Sequence, residues 1–328
     1  MSNNVVVNPS LDTFKSLKSV SIGFGDYVFK QLELWRHAGL KSALITLVNI
    51  EGSSPRPLGS QLAVNELGEY YGLISGGCLE SALVSEAVLC IREKTSKCLR
   101  FGRDSDFFDI QLPCGSGIDV HIHPLGKADT WLEKALKFQL SRTVFSWTVD
   151  LLHGINVVGL SSDVKNLERK SLQMSRRDMD RTFNKFEKIF QPQHKIIAVG
   201  DGEVFRAFER VAQTMDVELL VLEPNQSRSF LSDGSVLDRW TNLVLLSHEH
   251  SWEVELLSEA LTSKLGFITV LGSKNTHHRR LNALKRLGLS DACLARVKGP
   301  AGMDISARTP NEIAISICAE LISVARGT

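Results

Sequence analysis

From Lys195 to the C-terminus, short apolar runs alternate with amphipathic stretches, and this alternation restricts the fold more than any other feature. Lys195–Val199, Glu218–Leu222, Asn242–Leu246 and Gly266–Leu271 are β-branched or leucine-rich runs of strand length. Between them, Val204, Phe208, Val211 and Met215 recur at helical spacing, and Trp252–Leu261 and His277–Leu287 read as helices. Strands and helices alternating at these lengths predict a parallel, doubly wound sheet. The final helix has a defined start. Thr309 is the expected N-cap, Pro310 the first helical residue, and Glu312 closes a capping box. Ile313, Ile317 and Leu321 then face the core.

Gly200-Asp201-Gly202 follows a strand and opens a helix, the context a dinucleotide fingerprint requires. Glu223 ends the next strand, where an acid would hold a ribose hydroxyl. The C-terminal half is therefore expected to be Rossmann-like. Binding is a separate matter, because Phe205 takes the third glycine position and Asp201 and Glu203 place carboxylates where a pyrophosphate would sit. A domain kept for shape and one that binds a nucleotide both stay open. Two more strand ends face the ligand side of such a sheet. One carries Ser247-His248-Glu249-His250, and the other Gly272-Ser273-Lys274, a small cationic turn suited to phosphate. His248 and His250 need a third ligand before they read as a metal pair, and a loop histidine with a local hydrogen bond explains His248 as well.

The N-terminal half reads as a mixed α/β domain. Asp26–His37 is an expected helix, Ala43–Ile50 a strand, Ser60–Asn65 and Tyr70–Ile74 a hairpin about Gly68, and Leu79–Arg92 a helix with Leu79, Leu83, Ala87 and Cys90 inward. Strands follow at Cys98–Phe101 and Gly117–His123, then a helix and a strand pair to about Leu160. Lys165–Gln193 is charged and weakly periodic, and reads as a surface helix plus linker. The expected domains are 1–190, with the linker helix from about residue 161, and 191–328.

Three N-terminal loops carry chemistry. In Gly52-Ser53-Ser54-Pro55-Arg56-Pro57-Leu58-Gly59-Ser60, two prolines stiffen the backbone around Arg56, which suits an oxyanion. Ser75-Gly76-Gly77-Cys78-Leu79-Glu80 joins a strand to a helix. Its glycines admit a ligand, and the expected place of Cys78 in the first turn favours a thiolate, a ligand for soft metals or sulfur. In Leu112-Pro113-Cys114-Gly115-Ser116-Gly117, proline and glycines hold Cys114 in a loop. Packed structural cysteines and an ordinary surface arginine are the plainer explanations. Asp119, His121 and His123 share one strand face, for which a hydrogen-bonded face is a simpler account than a metal site.

The chain of 328 residues is long enough for two cores, and 43% of it is hydrophobic. A net charge of +1 gives no reason to expect a nucleic acid or an anionic membrane as the main partner. No apolar run spans a membrane and no export signal is read, so the expected location is cytoplasmic, with the six cysteines as thiols.

Taken together, Gly52-Ser-Ser-Pro-Arg-Pro-Leu-Gly59, Ile74-Ser-Gly-Gly-Cys-Leu-Glu80 and Pro113-Cys-Gly115 resemble the N-terminal part of the XdhC/CoxI family. Gly200-x-Gly202, Ser247-His248, Leu271-Gly-Ser-Lys274, Pro300-x-Gly302 and Thr309-Pro-Asn-Glu-Ile-Ala follow the family's order, so the resemblance covers nearly the whole chain. It implies a bacterial accessory protein for molybdenum hydroxylases such as xanthine dehydrogenase. Such a protein would bind molybdopterin cofactor, support its sulfuration and help insert it, as a chaperone rather than an enzyme with turnover of its own. Cys78 and Cys114 are then the candidate metal ligands or sulfur-handling thiols. Arg56, Ser75, Gly76, Gly77 and Gly115 complete the N-terminal site, and Gly200, Gly202, His248, Ser273 and Lys274 a C-terminal one. The implied partners are the hydroxylase apoenzyme and a cysteine desulfurase, with a homodimer left open. The competing expectations are an NAD(P)-dependent oxidoreductase and a metal-dependent hydrolase using His121, His123 or His248.

Overall fold

A computed structural model describes residues 19–21, 28–105, 115–126, 129–160, 185–223, 227, 237–247 and 252–326. The chain divides into two units, one spanning Phe24–Pro192 and the other built from Gln193 onward together with the first described strand, β1 (Ser19–Ser21). That strand pairs antiparallel with a strand of the C-terminal sheet, which a simple boundary at residue 190 does not anticipate.

The N-terminal unit contains α1 (Val28–His37), β2 (Ser42–Glu51), β3 (Gln61–Asn65), β4 (Tyr70–Gly72), α2 (Glu80–Glu93), β5 (Lys97–Gly102) and β6 (Gly117–Pro124). It continues with α3 (Trp131–Leu140), β7 (Phe145–Asp150), β8 (Asn156–Leu160) and β9 (Lys185–Phe190). Five strands form an antiparallel sheet in the order β4-β3-β2-β6-β5, and three form a second in the order β8-β7-β9. Alternate residues of the larger sheet enter different cores, as a period of two requires. Ile45, Leu47, Val120 and Ile122 pack against Leu79 and the Leu83, Ala87 and Cys90 stripe of α2. Leu44 and Ala63 join Phe29 and Leu32 of α1 and the Phe145, Trp147, Phe186 and Phe190 side chains of the small sheet. Phe145 and Phe190 stack at 4.9 Å between centroids.

β9 corrects the expectation for the end of this half. Lys185–Phe190 is a strand paired with β7 and not part of a linker, because Phe186 and Phe190 supply the apolar side that closes the aromatic core. The helix expected from about residue 161 lies outside the described residues.

The second unit follows the alternation in sequence: β10 (Lys195–Gly200), α4 (Gly202–Ala212), β11 (Glu218–Leu222), β12 (Thr241–Leu246), α5 (Glu253–Thr262), β13 (Phe267–Val270), α6 (Lys274–Arg286), α7 (Asp291–Leu294), β14 (Val297–Lys298) and α8 (Pro310–Arg326). The sheet order is β1-β11-β10-β12-β13-β14, with every pair parallel except β1–β11. The chain therefore reverses direction across the sheet between β10 and β12, the switch point of a doubly wound fold. Ile196, Ala198, Val244 and Leu246 pack under α4 and α8, while Ile197, Val199, Leu243 and Leu245 pack under α5. Gly200 ends β10 so close to the Leu246 carbonyl that a Cβ would collide with it.

The capping box of α8 forms as expected. Glu312 N donates to Thr309 Oγ1 at 3.3 Å, and the Glu312 carboxylate accepts from Thr309 N at 3.0 Å and Arg308 N at 2.7 Å. Met215, in contrast, lies beyond the end of α4 and only borders the core.

One buried ion pair fixes the neighbouring helices α5 and α6. Arg280 and Glu253 are 4% and 1% exposed, and Arg280 Nη2 donates to Glu253 Oε2 at 3.0 Å and to the Leu271 carbonyl at 3.0 Å. Removing one partner strands the other charge inside the protein. Arg280→Met is expected to cost about 3–5 kcal/mol. The exposed neighbour substitution Arg279→Ala should stay within about 0.5 kcal/mol. Urea midpoints of the two variants check the contrast.

Candidate functional site

Strand register brings the three N-terminal loops to one end of the five-stranded sheet. Glu51 at the end of β2 sits opposite Gly117 at the start of β6, and Gly102 at the end of β5 is also opposite Gly117. Gln61 at the start of β3 pairs with Thr46, and Gly72 at the end of β4 pairs with Leu62. The chain segments that follow β2, follow β4 and precede β6 therefore all emerge together.

The Arg56 loop is tied down along its length. Gly59 N donates to Leu47 O at 2.8 Å, and Ser60 donates to Pro57 O through both N (3.1 Å) and Oγ (2.7 Å). From β9, Lys188 Nζ reaches across to the Gly59 carbonyl at 2.9 Å. Ser53 N donates to Ser116 Oγ at 3.0 Å, joining this loop to the segment before β6. Pro55 joins it to the second loop, since a Cβ on Gly76 would stand 3.7 Å from Pro55 Cγ. Arg56 is half-buried, and its Nε is buried with no hydrogen-bond partner among the described residues. Nearby, Arg100 binds Asp119 at 3.2 Å and also Glu51, and Arg103 lies 3.7 Å from Glu51. Arg56 has no carboxylate partner among the described residues.

The second loop is organised by a residue whose role the motif did not announce. Glu80 is 3% exposed. Its Oε1 accepts from Ile74 N (3.1 Å) and Ser75 N (2.8 Å), and its Oε2 from Ser75 Oγ (2.6 Å) and Gly77 N (2.8 Å). Ser75 Oγ in turn accepts from Leu79 N at 2.8 Å. The chain thus wraps around its own carboxylate, with Gly76 and Gly77 at φ +81° and +111°, values that side-chain-bearing residues rarely adopt. A sequence signal existed: Glu80 falls on the same inward stripe of α2 as Leu83, Ala87 and Cys90, and an acid there must find donors.

This geometry changes two expectations. α2 begins at Glu80 with Leu79 as its cap, so exposed Cys78 precedes the helix and is not in its first turn. The Ser75 and Gly77 amides are engaged by Glu80, so only the Gly76 and Cys78 amides are left to meet a ligand among those of Ser75–Cys78. Of the third loop, Gly115 is exposed and Ser116 is buried against Ser53, while Cys114 lies outside the described residues.

Burial alone would raise the Glu80 carboxyl, but hydrogen bonds from Ser75 and from the loop amides outweigh it and hold it below the usual carboxylate range. The stabilisation this gives is present above the ordinary carboxylate range and is lost as pH falls through the depressed value. Glu80→Gln turns an acceptor into a donor facing N–H groups, and is expected to cost at least about 2 kcal/mol. Hydrogen exchange at residues 74–79 should rise with it.

On the Asp119, His121 and His123 face, Asp119 is half-buried and both histidines are buried, and His121 Nε2 has no hydrogen-bond partner among the described residues. Asp119 accepts from Asn49 at 2.7 Å, and His123 meets Ser96 Oγ and Asp129, each at 3.1 Å. No group of three metal-binding side chains gathers among the described residues. Burial, reinforced by the neighbouring His123, pushes His121 down from 6.5 to about 4. The unfolded chain then binds a proton that the folded chain refuses, so stability from this residue falls as pH drops from 6.5 towards 4. His121→Leu is expected to remove on the order of 3 kcal/mol of that pH dependence. Urea denaturation between pH 7 and pH 4 checks it.

The remaining sequence candidates sit in the C-terminal unit. Asp201 caps α4 and Gly202 is its first residue, while Phe205 is buried in the core. Ser273 caps α6, its Oγ accepting from Thr276 N at 3.1 Å. Lys274 is therefore the first helical residue and not part of a free turn. Ser247, Gly272, Ser273 and Thr276 border a cleft of about 360 Å³ with Val204 and Ile313. Lys274 and Gly200 do not line it, and His248 lies outside the described residues.

These features define a two-unit α/β protein with a rigid, arginine- and cysteine-bearing loop cluster on an antiparallel sheet, followed by a doubly wound nucleotide-fold domain. Residues 35–102 match the model of the XdhC and CoxI family, and residues 196–321 match the XdhC Rossmann domain. The molybdenum cofactor insertion chaperone PaoD of Escherichia coli (strain K12) is 31% identical over 289 residues, 88% of this chain and 84% of that protein. A probable xanthine dehydrogenase subunit of Bacillus subtilis (strain 168) is 21% identical over 321 residues, 86% of this chain and 92% of that one. A crystal structure described as a xanthine dehydrogenase from Bacillus halodurans has the same fold, with a TM-score of 0.65 at 22% identity, covering 92% of this chain and 96% of the other. The chain belongs to the XdhC/CoxI family. Among the described residues, no helix is long and apolar enough to cross a membrane.

Proposed function

We propose that this protein binds molybdopterin cofactor, supports its sulfuration and delivers it to a molybdenum hydroxylase such as xanthine dehydrogenase, acting as a chaperone and not through turnover. One observation carries the reading: a half-buried arginine with an unpartnered Nε and an exposed thiol stand on adjoining loops of one stiff cluster. The two groups suit the two ends of the cargo, a phosphate and a soft metal carrying sulfur. The insertion role named for PaoD supports it.

On this reading Arg56 and the Gly76 and Cys78 amides hold the phosphate end. Cys78 and Cys114 face the metal end as ligand or sulfur-handling thiols. Ser75 and Gly77 serve indirectly, as donors to Glu80 that keep the loop in shape. Gly115 gives the third loop its backbone freedom. The acceptor of the cargo is the hydroxylase apoenzyme, and a cysteine desulfurase is the class of enzyme that would supply sulfur. The reading places the protein in the cytoplasm, where thiols stay reduced. It leaves the C-terminal residues Gly200, Gly202, His248, Ser273 and Lys274 as a secondary site, and it leaves a homodimer compatible.

The test is molybdenum and pterin content after anaerobic incubation with released cofactor. Wild type is expected to retain both near stoichiometrically. Cys78→Ala or Cys114→Ala should lose the metal, and Arg56→Ala should weaken retention by 10-fold or more. Absence of retention in folded wild type would overturn the carrier role.

A further inference from the structure

Helix α6 carries charge of one sign. Its sequence, Lys274 to Arg286, contains five lysines and arginines and no acid. In α1 and α4 some cations are matched by an acid of the same helix: Arg36 and His37 by Glu33, and Arg206 by Glu203. In α6, among the described residues, two are matched, both from outside: Arg280 by Glu253 and Lys285 by Asp291. Lys274, Arg279 and Arg286 are exposed and have no carboxylate partner among the described residues. One feature of this arrangement acts against the helix: Lys274 lies in the first turn, where the helix dipole disfavours a cation, and no acid there offsets it.

The exposed face is rigid and shaped for contact. Arg280 pins the helix to α5 and to the end of β13, so the outward side chains stand on a fixed base. Asn275, His278, Arg279, Asn282 and Arg286 are exposed along a helix about 20 Å long. Leu287, 58% exposed, closes the row. Arginines beside an exposed apolar anchor are the composition of a protein interface. The near-neutral charge of the whole chain, +1, argues against a general polyanion grip and for a local, complementary contact.

We propose that the outward face of α6 is a docking surface for an acidic patch on a partner protein, and that this partner is the hydroxylase apoenzyme that receives the cofactor. The choice of partner rests on the function proposed above, whereas the surface and its chemistry do not.

Binding of the full-length chain to purified apo-xanthine dehydrogenase from the same organism tests it, measured at 50 and 300 mM NaCl. A 20-base-pair DNA duplex is the polyanion control. The expected result is a Kd at least 10-fold weaker at high salt, and at least 10-fold weaker for the Arg279→Glu/Arg286→Glu double variant. Molybdenum and pterin retention by that variant should be unchanged, since neither residue lies in the loop cluster. Binding that ignores charge reversal would overturn the proposal, as would no binding to apoenzyme, or preferential binding to the duplex. Failure of wild type to retain cofactor while charge-dependent docking persists would sink the carrier reading and leave the surface standing.

Discussion

The loop cluster depends on a single carboxylate. Glu80 sits at the start of α2, almost wholly out of water, and accepts hydrogen bonds from Ile74, Ser75 and Gly77. A buried carboxylate without donors is very costly, so the chain before α2 has little choice but to curl around it. The positive end of the helix favours the same arrangement. Through Gly76 and Pro55 the curled segment meets the Arg56 loop, and through Ser53 and Ser116 that loop meets the segment before β6. One satisfied charge thereby sets the shape of three loops that share few direct bonds.

Much of the architecture was legible in the sequence because it rests on periodicity. The alternation after Lys195 gave the parallel sheet, and Thr309-Pro310-Asn311-Glu312 gave the start of α8 at its first residue. Local capping chemistry needs nothing from distant parts of the chain. β9 was not legible, because its charged residues disguise two aromatic rings whose purpose appears only when β7 lies beside them. β1 was missed for the same reason: three residues carry no pattern, and their partner is Glu218–Leu222, about two hundred positions away.

The candidate loops were legible in the sequence, and their wiring was not. The motif singled out Arg56 and the Ser75–Glu80 string, and the structure sets Arg56 and Cys78 on adjoining loops. It could not say that Gly77 and Ser75 give their amides to Glu80, because hydrogen-bond direction depends on how a side chain folds back. Nor could it foresee Lys188, which approaches Gly59 from 129 positions away. His121 shows a different limit: strand alternation put it on a face with Asp119 and His123, but burial of that face follows from packing that no local pattern encodes.

The internal position of the Glu80 carboxylate has a consequence for repeated use. Because the loop's strongest donors are satisfied by the protein itself, the loop keeps its conformation whether or not anything rests on it. Under the proposed function, loading would then cost little ordering entropy, and unloading would leave no collapsed backbone behind. A loop built this way would return to the same starting geometry after each delivery, like a jig and not like a mould that must be recast.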